Sequence, residues 1–242
     1  MKLSDKNFEA LVKNYKSLFQ GLGDLNSYFG GPSVYFHQQS LIECKQNFLS
    51  NRHLEMIYAT LASWGMHRMG KTKTKMVNYE IFKDSILEMQ PRLLALKKLD
   101  LRNFEEEPID LLNEITEICF NLTVSISNSK IVGNSKTLAH IIPNLAPPVD
   151  REYTIRFFSE ALYNFSGLEE QKTFYRHVLK QCHSFIRKLN NIDMGLIDTK
   201  FNSSAPKMFD NLIMLYLKAK NTSEDLLQNL NIETINVQTS NL

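Results

Sequence analysis

The sequence predicts an all-α fold that forms a single compact domain of about eight to eleven helices. Two observations predict it. Apolar residues recur at steps of three and four along most of the chain, and the nine glycines cluster at the ends of these stretches. The one β-like stretch, residues 122–126, is short. We therefore expect residues 1–220 to form one helical domain and residues 221–242 to form a polar tail.

The first half of the chain contains five amphipathic stretches, each with a recognisable end signal. Their apolar stripes cover, in order, residues 8–19, 34–44, 54–64, 76–89 and 93–96. Gly21 and Gly23 are expected to end the first helix and Gly65 the third, because glycine is favoured just past a helix end. Ser33 suits the N-cap of the second helix. Pro91 is expected in the first turn of the fifth.

The second half repeats this pattern with longer stripes. They cover, in order, residues 111–119, 174–189 and 208–216. Acidic residues 105–107 precede the first stripe and predict its helix start, because carboxylates are favoured at the positive end of a helix dipole. The strongest helix is expected over residues 168–189. Asp150 is expected to N-cap a helix over residues 151–158.

Composition excludes several classes of protein. Apolar residues make up 43% and charged residues 22% of the chain, which is typical of a globular domain. No apolar run is long enough to span a membrane, and no signal core follows Met1. The three cysteines, Cys44, Cys119 and Cys182, are far apart and odd in number, which favours a reducing, cytoplasmic location. The net charge of +2 neither requires nor excludes a nucleic acid. No spacing of histidines and cysteines suits a metal, and no cofactor is expected.

Residues 131–151 are the most informative stretch of the sequence. Gly133 opens a short predicted helix, and that helix carries Lys136. Two prolines then lead to Asp150 at the start of the next helix, and they stiffen that approach. This order can place a carboxylate and a basic group on either side of one cleft. His140 shares a helix face with Lys136, but its apolar neighbours are more typical of a core residue.

The run Val132-Gly133-Asn134-Ser135-Lys136 resembles the turn of a helix-hairpin-helix element. Its continuation through the prolines to Asp150 resembles the helix-hairpin-helix DNA glycosylase superfamily, in which a short helix, a proline-containing loop and an aspartate follow the hairpin. The resemblance implies a glycosylase-like all-α fold with a hairpin-like element at about residues 126–150. It also implies DNA binding, with Gly133 and Asn134 presenting the turn to a phosphate.

The same resemblance implies that Asp150 acts on a flipped nucleotide, by stabilising a cationic sugar or orienting a water at its anomeric carbon. In lyase-competent members a catalytic lysine stands two places after the second glycine. Ser135 occupies that place here and Lys136 follows it, while Ile131 replaces the first glycine. Because one step is about 100° around a helix, Lys136 is expected to point away from the cleft.

A monofunctional glycosylase that releases a damaged or modified base by hydrolysis is therefore the leading hypothesis. Asp150 is its main catalytic residue, and Ser135 and Lys136 are further candidates. The alternative is that Asp150 only caps its helix and that Lys136 is solvated.

Residues 65–72 satisfy the Walker A phosphate-loop pattern, with Gly65, Gly70, Lys71 and Thr72 at the required positions. A P-loop follows a buried strand, whereas residues 54–64 have a helical period. A P-loop nucleotide hydrolase is therefore the weaker alternative. A helical protein-interaction module without catalysis is another, in which stripes of tyrosine and phenylalanine bury a partner helix.

The same region suits a nucleic-acid contact better. Five basic residues lie in a short connection between two predicted helices beside Trp64: His67, Arg68, Lys71, Lys73 and Lys75. A basic connection next to an aromatic ring can follow a phosphate backbone and stack a base. The alternative is a solvated loop, with Trp64 as a core anchor. DNA is thus the expected partner, and no contact with a membrane is expected.

Overall fold

The computed structural model describes residues 3–28, 30–67, 74–160, 163–197 and 200–239. Over these residues the chain is helical, and the one β contact is an isolated antiparallel bridge between Met76 and Ser125. The all-α prediction is confirmed, and the β-like stretch forms this bridge rather than a strand. None of the described helices has the length and apolar character needed to cross a membrane.

Six helices lie in the described residues of the first half of the chain. They are α1 Lys6–Asn14, α2 Phe19–Tyr28, α3 Gly31–Gln46, α4 Asn51–Leu61, α5 Tyr79–Leu87 and α6 Gln90–Leu96. A 3₁₀ turn, Tyr15–Leu18, joins α1 to α2, and a π-helical turn, Ala62–Met66, follows α4. Gly65 in that turn has a φ of 84°, a conformation that glycine adopts without strain. It therefore ends this helical stretch, as the sequence predicts.

Another six helices lie in the second half, counted over the part of it that the structure describes. They are α7 Ile109–Asn121, α8 Ile131–Ile141, α9 Arg156–Ser159, α10 Leu168–Ile186, α11 Asn191–Met194 and α12 Ala205–Thr239. A π-helical turn, Arg151–Ile155, precedes α9, and Asp150 is its N-cap. The helix α12 starts behind Ser204, whose hydroxyl accepts a hydrogen bond from the Lys207 amide at 3.2 Å. It continues past residue 221, where the sequence predicted a polar tail.

Two predicted helix ends are wrong. Gly21 and Gly23 lie inside α2, and Ser33 lies inside α3 rather than at its N-cap. A Cβ on Gly21 would lie 3.2 Å from the Leu215 side chain, so this glycine allows α12 to pack closely on α2. Pro32 lies in the first turn of α3. Because proline is favoured in the first turn of a helix, α3 begins before Ser33.

The core lies around α8, which packs against α3, α4, α7 and α10, while α12 packs on α2 and α10. Fully buried side chains on these elements include Leu54, Ile57, Ile115, Leu138 and Phe174. Residues 145–149, which follow α8, are also buried. This packing brings one side of α8, the turn after α4, the segment that ends at Asp150 and the start of α12 around one cavity.

Candidate active site

The cavity has a volume of about 520 Å³ and is lined by side chains from every one of these elements. Its charged and aromatic walls include Trp64, Lys136, Asp150, Phe201, Lys207 and Asp210. The volume lies within the range of small-molecule sites. The four charged residues form two ion pairs, Lys136–Asp150 and Lys207–Asp210, and both pairs border this cavity.

The first ion pair joins Lys136 of α8 to Asp150. Lys136 Nζ lies 2.8 Å from Asp150 Oδ2, and the two side chains are 13% and 33% exposed. The other carboxylate oxygen, Oδ1, accepts a hydrogen bond from the Glu152 amide at 2.9 Å. Asp150 therefore caps its helical turn and faces the cavity at once, so the two interpretations of this residue are compatible.

The surroundings keep Asp150 ionised. Burial raises the pKa of its carboxyl, but the charge of Lys136 and hydrogen bonds from Lys136 and from the amides of Glu152 and Tyr153 outweigh burial. The pKa therefore lies below the ordinary value for an aspartate. A carboxylate that stays negative beside a cavity can stabilise positive charge that develops on a ligand.

The path of the chain after α8 places Asp150 beside Lys136. The Ser135 hydroxyl accepts a hydrogen bond from the Val149 amide at 2.9 Å. This bond holds the segment before Asp150 along α8, so that Asp150 reaches Lys136 one residue further on. The expectation that Lys136 points away from the cleft is therefore wrong, because the segment follows the helix on the side of both residues.

The other residues of the predicted hairpin are buried in the structure. Asn134 is fully buried, and its Nδ2 donates to the carbonyls of Cys119 and Leu122, both at 2.8 Å. Gly133 is the third residue of α8, and a Cβ there would lie 2.7 Å from Met66 Cε. Since Gly133 lies inside a helix and Asn134 binds the end of α7, neither forms an exposed turn. This corrects the expectation that they present a turn to a phosphate.

Trp64 forms the aromatic wall next to the first ion pair. Lys136 Nζ lies 5.5 Å from the centroid of its indole, and the rings of His140 and His37 lie 5.3 and 5.7 Å from it. The indole is half-buried. Trp64 is therefore anchored by two imidazoles and lines the cavity, which combines the two interpretations that the sequence left open.

The two histidines behind Trp64 form a buried hydrogen-bonded pair. His140 Nδ1 lies 2.7 Å from the Lys136 carbonyl, and its Nε2 lies 2.8 Å from His37 Nδ1. Because a carbonyl only accepts, Nδ1 of His140 carries a proton, and Nε2 of the neutral ring accepts from His37. Burial lowers the pKa of His140 to about 4. This histidine is a neutral core residue, in agreement with the structural interpretation of its apolar neighbours.

The second ion pair, on α12, was missed by sequence reasoning. Lys207 Nζ lies 2.6 Å from Asp210 Oδ2, and the side chains are only 12% and 14% exposed. Thr154 Oγ1 accepts from the Asp150 amide at 3.0 Å and lies 3.5 Å from Asp210 Oδ1. One hydroxyl thus links the two charged pairs. A lysine directly after Pro206 in the first turn of a helix was the available signal, since a cation is disfavoured there.

The basic connection starts at the mouth of the cavity. His67 is exposed and lines the cavity, and Lys75 is exposed where the described chain resumes. Arg68, Lys71 and Lys73 lie outside the described residues. In the part that is described, the segment before Gly65 is the helix α4 and not a strand. The strand-loop-helix arrangement that a P-loop needs is therefore contradicted, and the nucleotide-hydrolase alternative with it.

Within the described ranges, no cluster of three or more histidine, cysteine, aspartate or glutamate side chains is placed to hold a metal ion. No protein-family model matches the chain, and neither a curated protein nor a solved structure is significantly similar to it. The chemistry of the site therefore has to be inferred from its own geometry. That geometry offers a flat aromatic wall, an ionised carboxylate and an amine around one cavity.

Proposed function

We propose that this chain binds DNA and removes a base from a nucleotide that is extruded into the cavity. The observation that carries the proposal is the Lys136–Asp150 ion pair, which borders a cavity of about 520 Å³ beside Trp64. An enzyme that reacts with a base must first take it out of the stack and hold it by stacking and by hydrogen bonds. Trp64 supplies the stacking surface in this proposal.

Asp150 stabilises the transition state. Cleavage of an N-glycosidic bond leaves positive charge on the sugar as the base departs with the bonding electron pair. An ionised carboxylate next to the anomeric carbon lowers the energy of that charge. The Lys136 ammonium lowers the pKa of Asp150, which keeps the carboxylate available at neutral pH.

Lys136 supplies the nucleophile. Its ammonium first gives up one proton to solvent. The free amine then forms a bond to the anomeric carbon while the bond from that carbon to the base breaks, and Asp150 stays ionised beside the charge that develops on the sugar. The departing base takes up one proton from solvent, which balances the proton that the ammonium gave up. The bond from the anomeric carbon to the ring oxygen of the sugar then breaks, and this gives the protonated imine that borohydride reduces. The sequence favoured hydrolysis because Lys136 was expected to face away, and the position of its amine beside Asp150 now favours the lysine-dependent form. A water oriented by Asp150 would be the nucleophile in the hydrolytic form.

The basic connection supports a DNA partner. His67 lines the cavity and is exposed, Lys75 is exposed as well, and the sequence between them carries Arg68, Lys71 and Lys73. In this proposal these cations contact the phosphates that flank the extruded nucleotide.

Duplex oligonucleotides that each contain one modified base test the proposal. We expect the wild type to release the free base, measured by mass spectrometry, and to form a covalent adduct with the DNA in the presence of borohydride. Asp150→Asn should slow base release about a thousandfold. The matched control is Lys172→Gln. Lys172 is also largely buried, and its Nζ lies 3.0 Å from Glu117 Oε2 in another ion pair. This variant should still release the base and form the adduct.

Two outcomes would change this proposal. No base release from any oligonucleotide, together with no retention of DNA at low salt, would overturn it. Base release without a borohydride adduct would replace the Lys136 amine by water as the nucleophile.

A further inference from the structure

The second ion pair of the cavity has no part in the cleavage described above. We propose that Lys207 and Asp210 select the base, and that the cavity takes a base whose edge carries a carbonyl oxygen next to a ring N–H. Hypoxanthine, guanine and uracil have this lactam edge, whereas adenine and cytosine present an amine next to a bare ring nitrogen. This inference rests on the proposed function, because it concerns the substrate of the same site.

The position of Lys207 is difficult to explain by stability alone. The residue lies in the first turn of α12, where the helix dipole disfavours a cation. Its side chain is 12% exposed, so the ammonium has also lost most of its contact with water. An ion pair that is removed from water contributes little net stability, because desolvation offsets the attraction. A pair of this kind beside an open cavity is better explained by a ligand that it binds.

The pair has hydrogen-bonding capacity beyond its own contact. An ammonium carries three N–H donors, and a carboxylate has two oxygens that each accept more than one hydrogen bond. Lys207 Nζ uses one donor on Asp210 and lies 4.6 Å from the centroid of the Phe201 ring. Both side chains line the cavity. A ligand there meets a charged donor and a charged acceptor side by side.

A lactam edge is the best complement to this pair. Its carbonyl oxygen accepts from the Lys207 ammonium, and its ring N–H donates to the Asp210 carboxylate. The ring N–H of a lactam is more acidic than an exocyclic amine, and a carbonyl oxygen is a compact acceptor. Hydrogen bonds to charged groups are about twice as strong as those between neutral groups. Asp210 and Lys207 therefore favour the lactam over the amine-bearing edge.

The two ion pairs can engage one nucleotide at the same time. Thr154 Oγ1 lies 3.5 Å from Asp210 Oδ1 and accepts from the Asp150 amide at 3.0 Å. The selecting residue Asp210 and the backbone of the cleaving residue Asp150 thus meet at one buried hydroxyl. A base held at its edge by Lys207 and Asp210 directs its sugar toward Asp150 and Lys136.

Matched pairs of bases that differ only in this edge test the inference. Deamination converts adenine into hypoxanthine and cytosine into uracil, and each conversion exchanges the amine for the lactam. Binding of inosine, adenosine, uridine and cytidine is measured by the emission of Trp64, which is the one tryptophan of the sequence and lines the cavity. We expect the lactam member of each pair to bind at least about tenfold more tightly.

Variants identify the residues that make this selection. Lys207→Gln and Asp210→Asn should each remove most of the difference within both pairs, because each replaces a charged group by a neutral amide. Lys172→Gln, at the ion pair with Glu117 outside the cavity, should preserve the difference. Circular dichroism and urea denaturation check that every variant is folded. Equal binding within both pairs, or no change in Trp64 emission with any of the four nucleosides, would overturn the inference.

Release from oligonucleotides that contain the same four bases separates this inference from the proposed function. Selective nucleoside binding without release of any base would remove the proposed reaction and leave the selection of the base. Release that does not distinguish hypoxanthine from adenine, or uracil from cytosine, would remove the selection and leave the reaction.

Discussion

Consecutive residues of α8 belong to two different environments. Ser135 is fully buried, and its hydroxyl accepts from the Val149 amide, so its polar group is used to fix the path of the chain. Lys136 follows it directly and faces the cavity, where its amine meets Asp150. The comparison of Ser135 with Lys136 shows that polar side chains have two different roles in this structure. A polar group held by the backbone is part of the architecture, whereas a charged pair beside open volume is available to a ligand.

The largest expected effect comes from changing these two neighbours one at a time. Lys136→Gln should lower base release about a thousandfold, because the nucleophile is lost. Ser135→Ala should slow release per folded molecule by only about tenfold, because it loosens the segment that positions Asp150 but removes no reacting group. It should also lower the free energy of unfolding by about 2 kcal/mol, because the buried Val149 amide loses its acceptor. Single-turnover base release and urea denaturation measure the two quantities. If Ser135→Ala abolished release in folded protein, the separation of the two environments would be wrong.

Local sequence rules were sufficient for much of the fold. The stripe of α10, the glycine after α4 and the proline in the first turn of α6 act within a few residues of the element that they define. The error at Gly21 has a different origin. Gly21 contacts Leu215 of α12, and a contact across that separation in sequence leaves no periodic signal.

The site, like the fold, was predictable from the sequence only where its features are local. A rigid approach and an N-cap position identified Asp150 from the sequence, because both are local features. The pairing of Lys136 with Asp150 depends on the hydrogen bond between Ser135 and Val149, which forms only when the segment after α8 folds back. Lys207 and Asp210 reach the cavity because α12 packs beside the Asp150 turn. The unfavourable place of Lys207 in the first turn of a helix is visible in the sequence, but the packing that brings it and Asp210 to the cavity is not.

A smaller effect, on the stability of the fold, is expected when the pH is lowered. It arises from His140, which is on the buried side of α8. His140 lies four residues after Lys136 on α8, yet it is buried. Burial lowers the pKa of its imidazole to about 4, with His53, Lys207 and Lys136 acting in the same direction and the hydrogen bond to the Lys136 carbonyl opposing them. The unfolded chain therefore binds more protons than the folded chain below about pH 6.5, so that stability falls as the pH falls toward 4.

We expect His140 alone to contribute about 2 kcal/mol of this loss between pH 7 and pH 5. In His140→Gln the amide oxygen can still accept from His37 Nδ1, while the titrating group is gone. Urea denaturation at both pH values should therefore give a smaller pH dependence for the variant than for the wild type. Equal pH dependence would place the proton on another group and would mean that His140 is not held neutral by burial.

The smallest effect is expected at Gly133, which the resemblance to a hairpin turn made a phosphate-binding residue. Its φ is not positive, in contrast to Gly31 and Gly65. In Gly133→Ala the new Cβ would lie 2.7 Å from Met66 Cε and 3.1 Å from a methyl group of Val124. The end of a methionine side chain can move, and alanine favours a helix by about 1 kcal/mol. We therefore expect the free energy of unfolding to fall by less than about 1 kcal/mol.

Base release by Gly133→Ala, per folded molecule, should equal that of the wild type, because the glycine packs against Met66 and Val124 and does not line the cavity. Base release and the free energy of unfolding together decide whether Gly133 serves for packing inside α8 or forms a phosphate-binding turn. If the variant folded with unchanged stability but no longer bound DNA, a phosphate would have to approach the backbone at Gly133. The start of α8 would then have to open toward the DNA, and the buried environment assigned to it would hold only for the free protein.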